Sequence, residues 1–175
     1  SYTTTTTTTP SNTTNTATIT PLAIVIGGTM VYNGGTTVTT SNADLSIANA
    51  FGSDTITLSG GSMRVSSKNV SAGLQSLSNF SGLTLANNSG GNYTVSGASG
   101  AITITPAPLG IQVTGVYSGS TTLSNISSFT VTGLQGSDTI TSLASVTVNN
   151  KNVTTSNKYV TALEVGSGTA DMGNY

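Results

Sequence analysis

Ile104-Thr105-Pro106-Ala107-Pro108-Leu109 is the stretch that decides the fold, because its opening has already occurred as Ile19-Thr20-Pro21. Tyr32-Asn33-Gly34-Gly35-Thr36-Thr37 returns in the same way as Tyr117-Ser118-Gly119-Ser120-Thr121-Thr122, so the chain repeats itself at a spacing of about 85 residues. Working outward, Gly52-Ser53-Asp54-Thr55-Ile56-Thr57 returns over residues 136–141. Lys68-Asn69-Val70 returns as Lys151-Asn152-Val153, and Gly91-Asn92-Tyr93 as Gly173-Asn174-Tyr175. The order is kept throughout, which marks a duplicated unit.

Within each unit apolar residues alternate with Thr and Ser, as in Ile56/Leu58, Met63/Val65, Leu83/Leu85, Phe129/Val131 and Val146/Val148. Period-two patterning with β-branched residues is the signature of strands with one buried face. Gly-rich turns separate these strands, and no stretch carries helical spacing. The expected fold is all-β: two tandem immunoglobulin-like β-sandwich domains of short antiparallel strands, with an extended N-terminal donor strand. The Thr-rich donor strand covers residues 1–20, the first sandwich 21–105, and the second 106–175, without its closing strand.

Composition excludes several classes of function. The 175 residues hold four basic and five acidic side chains for a net charge of -1, so there is no basic footprint for nucleic acid or an anionic membrane surface. No apolar run approaches the roughly 20 residues of a membrane-spanning helix, so no membrane insertion is expected. Regularly placed Val, Ile, Leu and Tyr argue against disorder despite the abundant Ser, Thr, Asn and Gly. The chain starts at Ser1 rather than Met, as a processed secreted protein would and as a cytosolic protein that lost its initiator Met also would, and it has no Cys. An extracellular or cell-surface location is expected.

At these motifs the sequence resembles the YDG or MBG repeats strung along large bacterial adhesins of the filamentous-haemagglutinin type. The features that carry the resemblance are the Tyr-turn-Thr-Thr segments at Tyr32 and Tyr117, the Gly-x-Asp-Thr-Ile strands at Asp54 and Asp138, the Gly-Asn-Tyr endings, and the linker over 104–109. Asn33 and Ser118 stand where the family usually has Asp after the tyrosine; both side chains can make the same local turn. The resemblance implies an adhesin stalk or surface fibre and no reaction.

The two units are cut out of phase. The first runs past Tyr93 into Ala101-Ile102-Thr103-Ile104-Thr105-Pro106, its closing strand, whereas the second reaches only Tyr175. Residues 1–20 end in the same Thr-Ile-Thr pattern, so the surplus at one end matches the deficit at the other. A sandwich lacking a strand exposes unpaired backbone groups and a strip of core, and it captures an extended segment by main-chain pairing. Two sandwiches in series span ~70–80 Å, and 20 extended residues reach at most ~66–72 Å, so closure between molecules is the easier geometry. A head-to-tail contact that does not close on itself generates an open filament. The expected partner is therefore the chain itself, as a homopolymer. Tyr2, Thr4, Thr6, Thr8, Ala17 and Ile19 are the expected donor residues, with Tyr175, Tyr117 and Val165 in the acceptor region.

Other readings of the same residues are weaker. A Thr/Ser/Asn tract also suits a flexible, O-glycosylated stalk. With no His and no Cys, the common nucleophile–base pairs and zinc sites are absent, so no enzyme and no cofactor is expected. Asp44, Asp54, Asp138, Glu164 and Asp171 are scattered, so neither a carboxylate pair nor a calcium loop is assembled. Asp54 and Asp138 are expected to be copies of one turn-forming residue. Lys68 and Lys151 are expected to be solvated lysines on strand edges rather than isopeptide nucleophiles. Tyr32, Tyr93, Tyr117 and Tyr175 are expected to pack their rings on the core with hydroxyls bonded near turns. Sequons at Asn12, Asn69, Asn79, Asn87, Asn92, Asn125 and Asn152 are no more frequent than this composition produces. The expected function is a filament subunit for adhesion or biofilm cohesion. The alternative is a spacer or ligand-binding fragment of a longer adhesin, with surface glycans as candidate partners; ice binding is disfavoured because the repeat is long.

Overall fold

The computed structural model describes residues 16–175, and it is all-β apart from two single turns of 3-10 helix at Val70–Ala72 and Met172–Asn174. The first half holds β1 (Leu22–Val31), β2 (Thr37–Thr39), β3 (Ala43–Ile47), β4 (Thr57–Arg64), β5 (Leu74–Ser76), β6 (Ser78–Ala86) and β7 (Tyr93–Thr105). The second half holds β8 (Gly110–Gly115), β9 (Thr122–Leu123), β10 (Ile126–Thr132), β11 (Ile140–Val148) and β12 (Val160–Gly168). None of the helical turns is long and apolar enough to cross a membrane.

In the first half a four-stranded sheet, β3-β1-β7-β5, packs against a three-stranded sheet, β2-β4-β6. Alternation along the strands sends Ile24, Ile26 and Met30 of β1, with Ile102 and Ile104 of β7, into one core. There they meet Val38 of β2 and Met63 of β4. Burying these side chains is the main force holding the two layers together, at ~1.5–3 kcal/mol for each large aliphatic residue.

One feature of the sheet differs from the expected antiparallel arrangement. β1 and β7 run parallel, with Gly28 opposite Ile102 and Met30 opposite Ile104. Parallel pairing needs a long connection, and these two strands are separated by all the others of the first half, which supply it.

The second half reproduces part of this plan. Its sheets are β10-β8 and β12-β11-β9, so β8, β10, β9, β11 and β12 stand where β1, β3, β2, β4 and β6 stand in the first half. Among the described residues nothing takes the place of β7. Nothing takes the place of β5 either, and the reason is local: β5 pairs only with β7, so its counterpart has no strand to pair with. Only Ile140, Val146 and Val148 are buried apolar residues on these second-half strands.

The segment leading into β1, residues 16–21, forms no strand and is exposed. It includes Ala17 and Ile19 of the expected donor. Tyr2, Thr4, Thr6 and Thr8 lie outside the described residues.

Candidate functional site

β8 is hydrogen-bonded on one side to β10, with Val113 opposite Phe129 and Ile111 opposite Val131. Its other edge carries no strand among the described residues. Beside that edge runs a groove of about 510 Å³, whose walls include Ile111 and Val113 of β8, Leu123 of β9, Val148 of β11 and Val160 of β12. Tyr117, Lys151, Val153 and Tyr159 also line it, and Tyr117, Val153 and Tyr159 are largely exposed. An apolar groove along a free strand edge offers both unpaired backbone groups and a dry surface.

The first half shows what fills such a space. Ile102 and Ile104 of β7 lie on the edge of β1 that corresponds to the free edge of β8, and Ile104 is only 3% exposed. The sequence Thr16-Ala17-Thr18-Ile19-Thr20-Pro21 repeats the pattern of Ala101-Ile102-Thr103-Ile104-Thr105-Pro106, and its Ile19 is 96% exposed. The same residue in the same local sequence is thus buried at one site and in water at the other.

Of the expected acceptor residues, Tyr117 lines the groove, while Tyr175 and Val165 are not among the residues that line it. Val165 lies on β12 opposite Leu143. Tyr175 lies at the junction between the halves, where its ring meets Tyr32 edge-on at 5.4 Å. Its hydroxyl donates to Oδ2 of Asp138 at 2.7 Å and accepts from the Gln135 N–H at 2.9 Å. Tyr32, from the first half, donates to the same Asp138 oxygen at 2.7 Å. The Lys68 ammonium approaches the other oxygen at 3.7 Å and sits 5.7 Å from the Tyr32 ring centre. Asn174 closes the junction: it accepts from the Val70 N–H at 2.9 Å and donates to the Asn69 side chain at 3.1 Å.

Half of this arrangement recurs inside the first half. Tyr93 donates to Asp54 at 2.7 Å and accepts from the Phe51 N–H at 2.8 Å, as Tyr175 does with Asp138 and Gln135. Asp54 and Asp138 are therefore anchors for a tyrosine hydroxyl as well as turn residues. The sequence carried that signal, since Asp and the Gly-Asn-Tyr ending are duplicated together. Lys68 is not simply solvated, as expected, because the folded chain brings a carboxylate of the other half to it.

The electrostatics follow from these contacts. Burial alone would raise the Asp138 pKa, but the Tyr175 and Tyr32 hydroxyls and the Lys68 charge outweigh it, and the carboxyl is held below its ordinary value. Burial, with the Asp138 carboxylate nearby, pushes the Tyr175 phenol up to about 12. Tyr32 is raised for the same reasons. At neutral pH the site is one carboxylate held by two neutral phenols and an ammonium. No group of three or more metal-ligating side chains gathers among the described residues.

A YDG domain family model matches residues 13–100, half of the chain. The chain belongs to the YDG domain family. No curated protein and no solved structure matches it. The YDG match takes in the segment before β1, all of β1 to β6, and β7 as far as Gly100. It therefore includes Tyr32, Asp54 and Tyr93, whose counterparts Tyr117, Asp138 and Tyr175 recur in the second half.

Proposed function

We propose that this chain is the structural subunit of an extracellular, pilus-like filament for adhesion or biofilm cohesion, polymerised head-to-tail by donor-strand complementation. In this reading it is two tandem immunoglobulin-like sandwiches, and the groove beside β8 accepts the Thr-rich leader of another copy. The observation that carries the proposal is the contrast between Ile104, buried against β1, and Ile19, exposed on a segment of matching sequence. Placing Ile19 beside β8 would remove its side chain from water and pair the β8 backbone, both favourable. Thr suits a donor because it has high β-propensity and its methyl packs while its hydroxyl faces outward.

Membership of the YDG family favours a second reading: a spacer or ligand-binding piece of a longer, filamentous-haemagglutinin-like adhesin, in which a strand of the same chain closes the groove. Deleting residues 1–20 separates the two. Electron microscopy of the parent protein is expected to show long uniform fibres, and the truncated protein discrete two-lobed particles. Fibres of unchanged abundance from the truncated protein would exclude strand donation.

A further inference from the structure

The junction between the halves is a joint with two faces, and each half carries both. The joint uses Tyr32, Gly34, Lys68 and Asn69 of the first half against Gly136, Asp138, Asn174 and Tyr175 of the second. By the repeat, the second half carries Tyr117, Gly119, Lys151 and Asn152 at the places of the first set. The first half carries Gly52, Asp54, Asn92 and Tyr93 at the places of the second. Among the described residues these eight counterparts make no joint. Tyr32 is 1% exposed, whereas Tyr117 is 58% exposed. Asn174 is buried, whereas Asn92 is exposed.

The glycines make the same point through backbone contact. A Cβ on Gly34 would meet the Gly136 Cα at 2.9 Å, and one on Gly136 would meet the Gly34 Cα at 3.2 Å. The joint therefore needs glycine at both places. Gly119 and Gly52 keep the same left-handed backbone, with φ of +79° and +55°, yet a Cβ on either meets nothing within 4 Å. Each outer end thus carries the residues of one face of a joint, and the residues of the opposite face lie on the other outer end.

We propose that successive subunits dock through a copy of this joint, with Tyr117, Gly119, Lys151 and Asn152 of one copy against Gly52, Asp54, Asn92 and Tyr93 of the next. The inference rests on the proposed polymerisation and adds its specificity. Ile19 precedes Tyr32 by the same number of residues as Ile104 precedes Tyr117, so a donor Ile19 seated as Ile104 is would deliver the next subunit at the spacing found inside the chain. The contacts then follow by homology of position. Tyr117 donates to Asp54 beside the Tyr93 hydroxyl, Lys151 approaches the same carboxylate, and Asn92 bonds the Asn152 side chain and the Val153 N–H. Leu22, at the place of Ala107, brings a larger apolar side chain to the contact.

The test is polymerisation of full-length Gly119→Asn and Gly52→Asn, with Gly82→Asn as a control at an exposed positive-φ glycine outside these faces. Asn tolerates left-handed backbone, so the subunits are expected to keep the parent circular dichroism spectrum. Steric overlap at the copied joint is expected to weaken subunit association about tenfold or more, while Gly82→Asn polymerises as the parent does. Zero-length carbodiimide cross-linking of mixed isotope-labelled filaments is expected to join Lys151 to Asp54 between copies, with Lys68–Asp138 as the control within a copy. Parent-like polymerisation of both joint variants, or equal loss in the control, would overturn the joint. It would leave strand donation standing if deletion of residues 1–20 still abolishes fibres. Absence of fibres from the parent protein would sink both.

Discussion

Asp138 is the residue on which the junction turns. One buried and one half-buried phenol hydroxyl and an ammonium converge on it, while its counterpart Asp54 receives a single hydroxyl. Hydrogen bonds to a charged acceptor contribute about 1.5–3 kcal/mol each, and a buried hydroxyl stranded without its partner costs about 1–3 kcal/mol. Asp138→Ala is therefore expected to destabilise the chain by about 3 kcal/mol or more, and Asp54→Ala by roughly half as much, in urea unfolding. Equal effects would remove Asp138 from its role. The pH dependence has two limbs. The Asp138 carboxyl is held below its ordinary value of 3.8, so its contribution is present above that pH and is lost as pH falls through the lower, folded value. The Tyr175 phenol is raised from 10.0 to about 12, so its contribution is present below pH 10.0 and is lost as pH rises toward about 12. Thermal melting is expected to be level between these limits and to fall on both sides, with the alkaline fall reduced in Tyr175→Phe.

Among the elements, β8 and β1 carry the same job with different support. β1 is paired on both edges, to β3 and to β7, whereas among the described residues β8 is paired only to β10. Amides on the open side of β8 are expected to exchange with deuterium far faster than those of β1 in the free subunit, and to become protected in fibres. Equal, slow exchange in both states would mean that the edge is covered by something other than another copy. The strands themselves were legible in the sequence, because Phe129/Val131 and Val146/Val148 alternate with polar residues and the repeat doubles every signal. The parallel pairing of β1 with β7 was not, since period two fixes which face is buried and says nothing of strand direction. The cluster at Asp138 was legible only in its members. Tyr32, Lys68 and Asn69 stand from 70 (Lys68 to Asp138) to 143 (Tyr32 to Tyr175) residues from their partners, and nothing in local pattern marks a contact at that separation.

For the whole molecule, the two halves are one plan executed twice and closed once. The first half buries a continuous core, while the second buries little more than Val146 and its neighbours and leaves a groove where the first half has β7. The central claim is that the leader of another copy lies in that groove, parallel to β8. Since Gly28 is opposite Ile102, the corresponding pair between copies is Val113 and Ala17. Neighbouring strands lie ~4.7–4.9 Å apart, within disulfide reach, and the chain has no Cys to interfere. Oxidation of fibres assembled from Ala17→Cys/Val113→Cys is the most direct measurement. A ladder of covalent multimers on a denaturing gel, absent for the out-of-register pair Thr18→Cys/Val113→Cys, is the expected result. A cross-linked monomer, or no cross-link at all, would contradict the account.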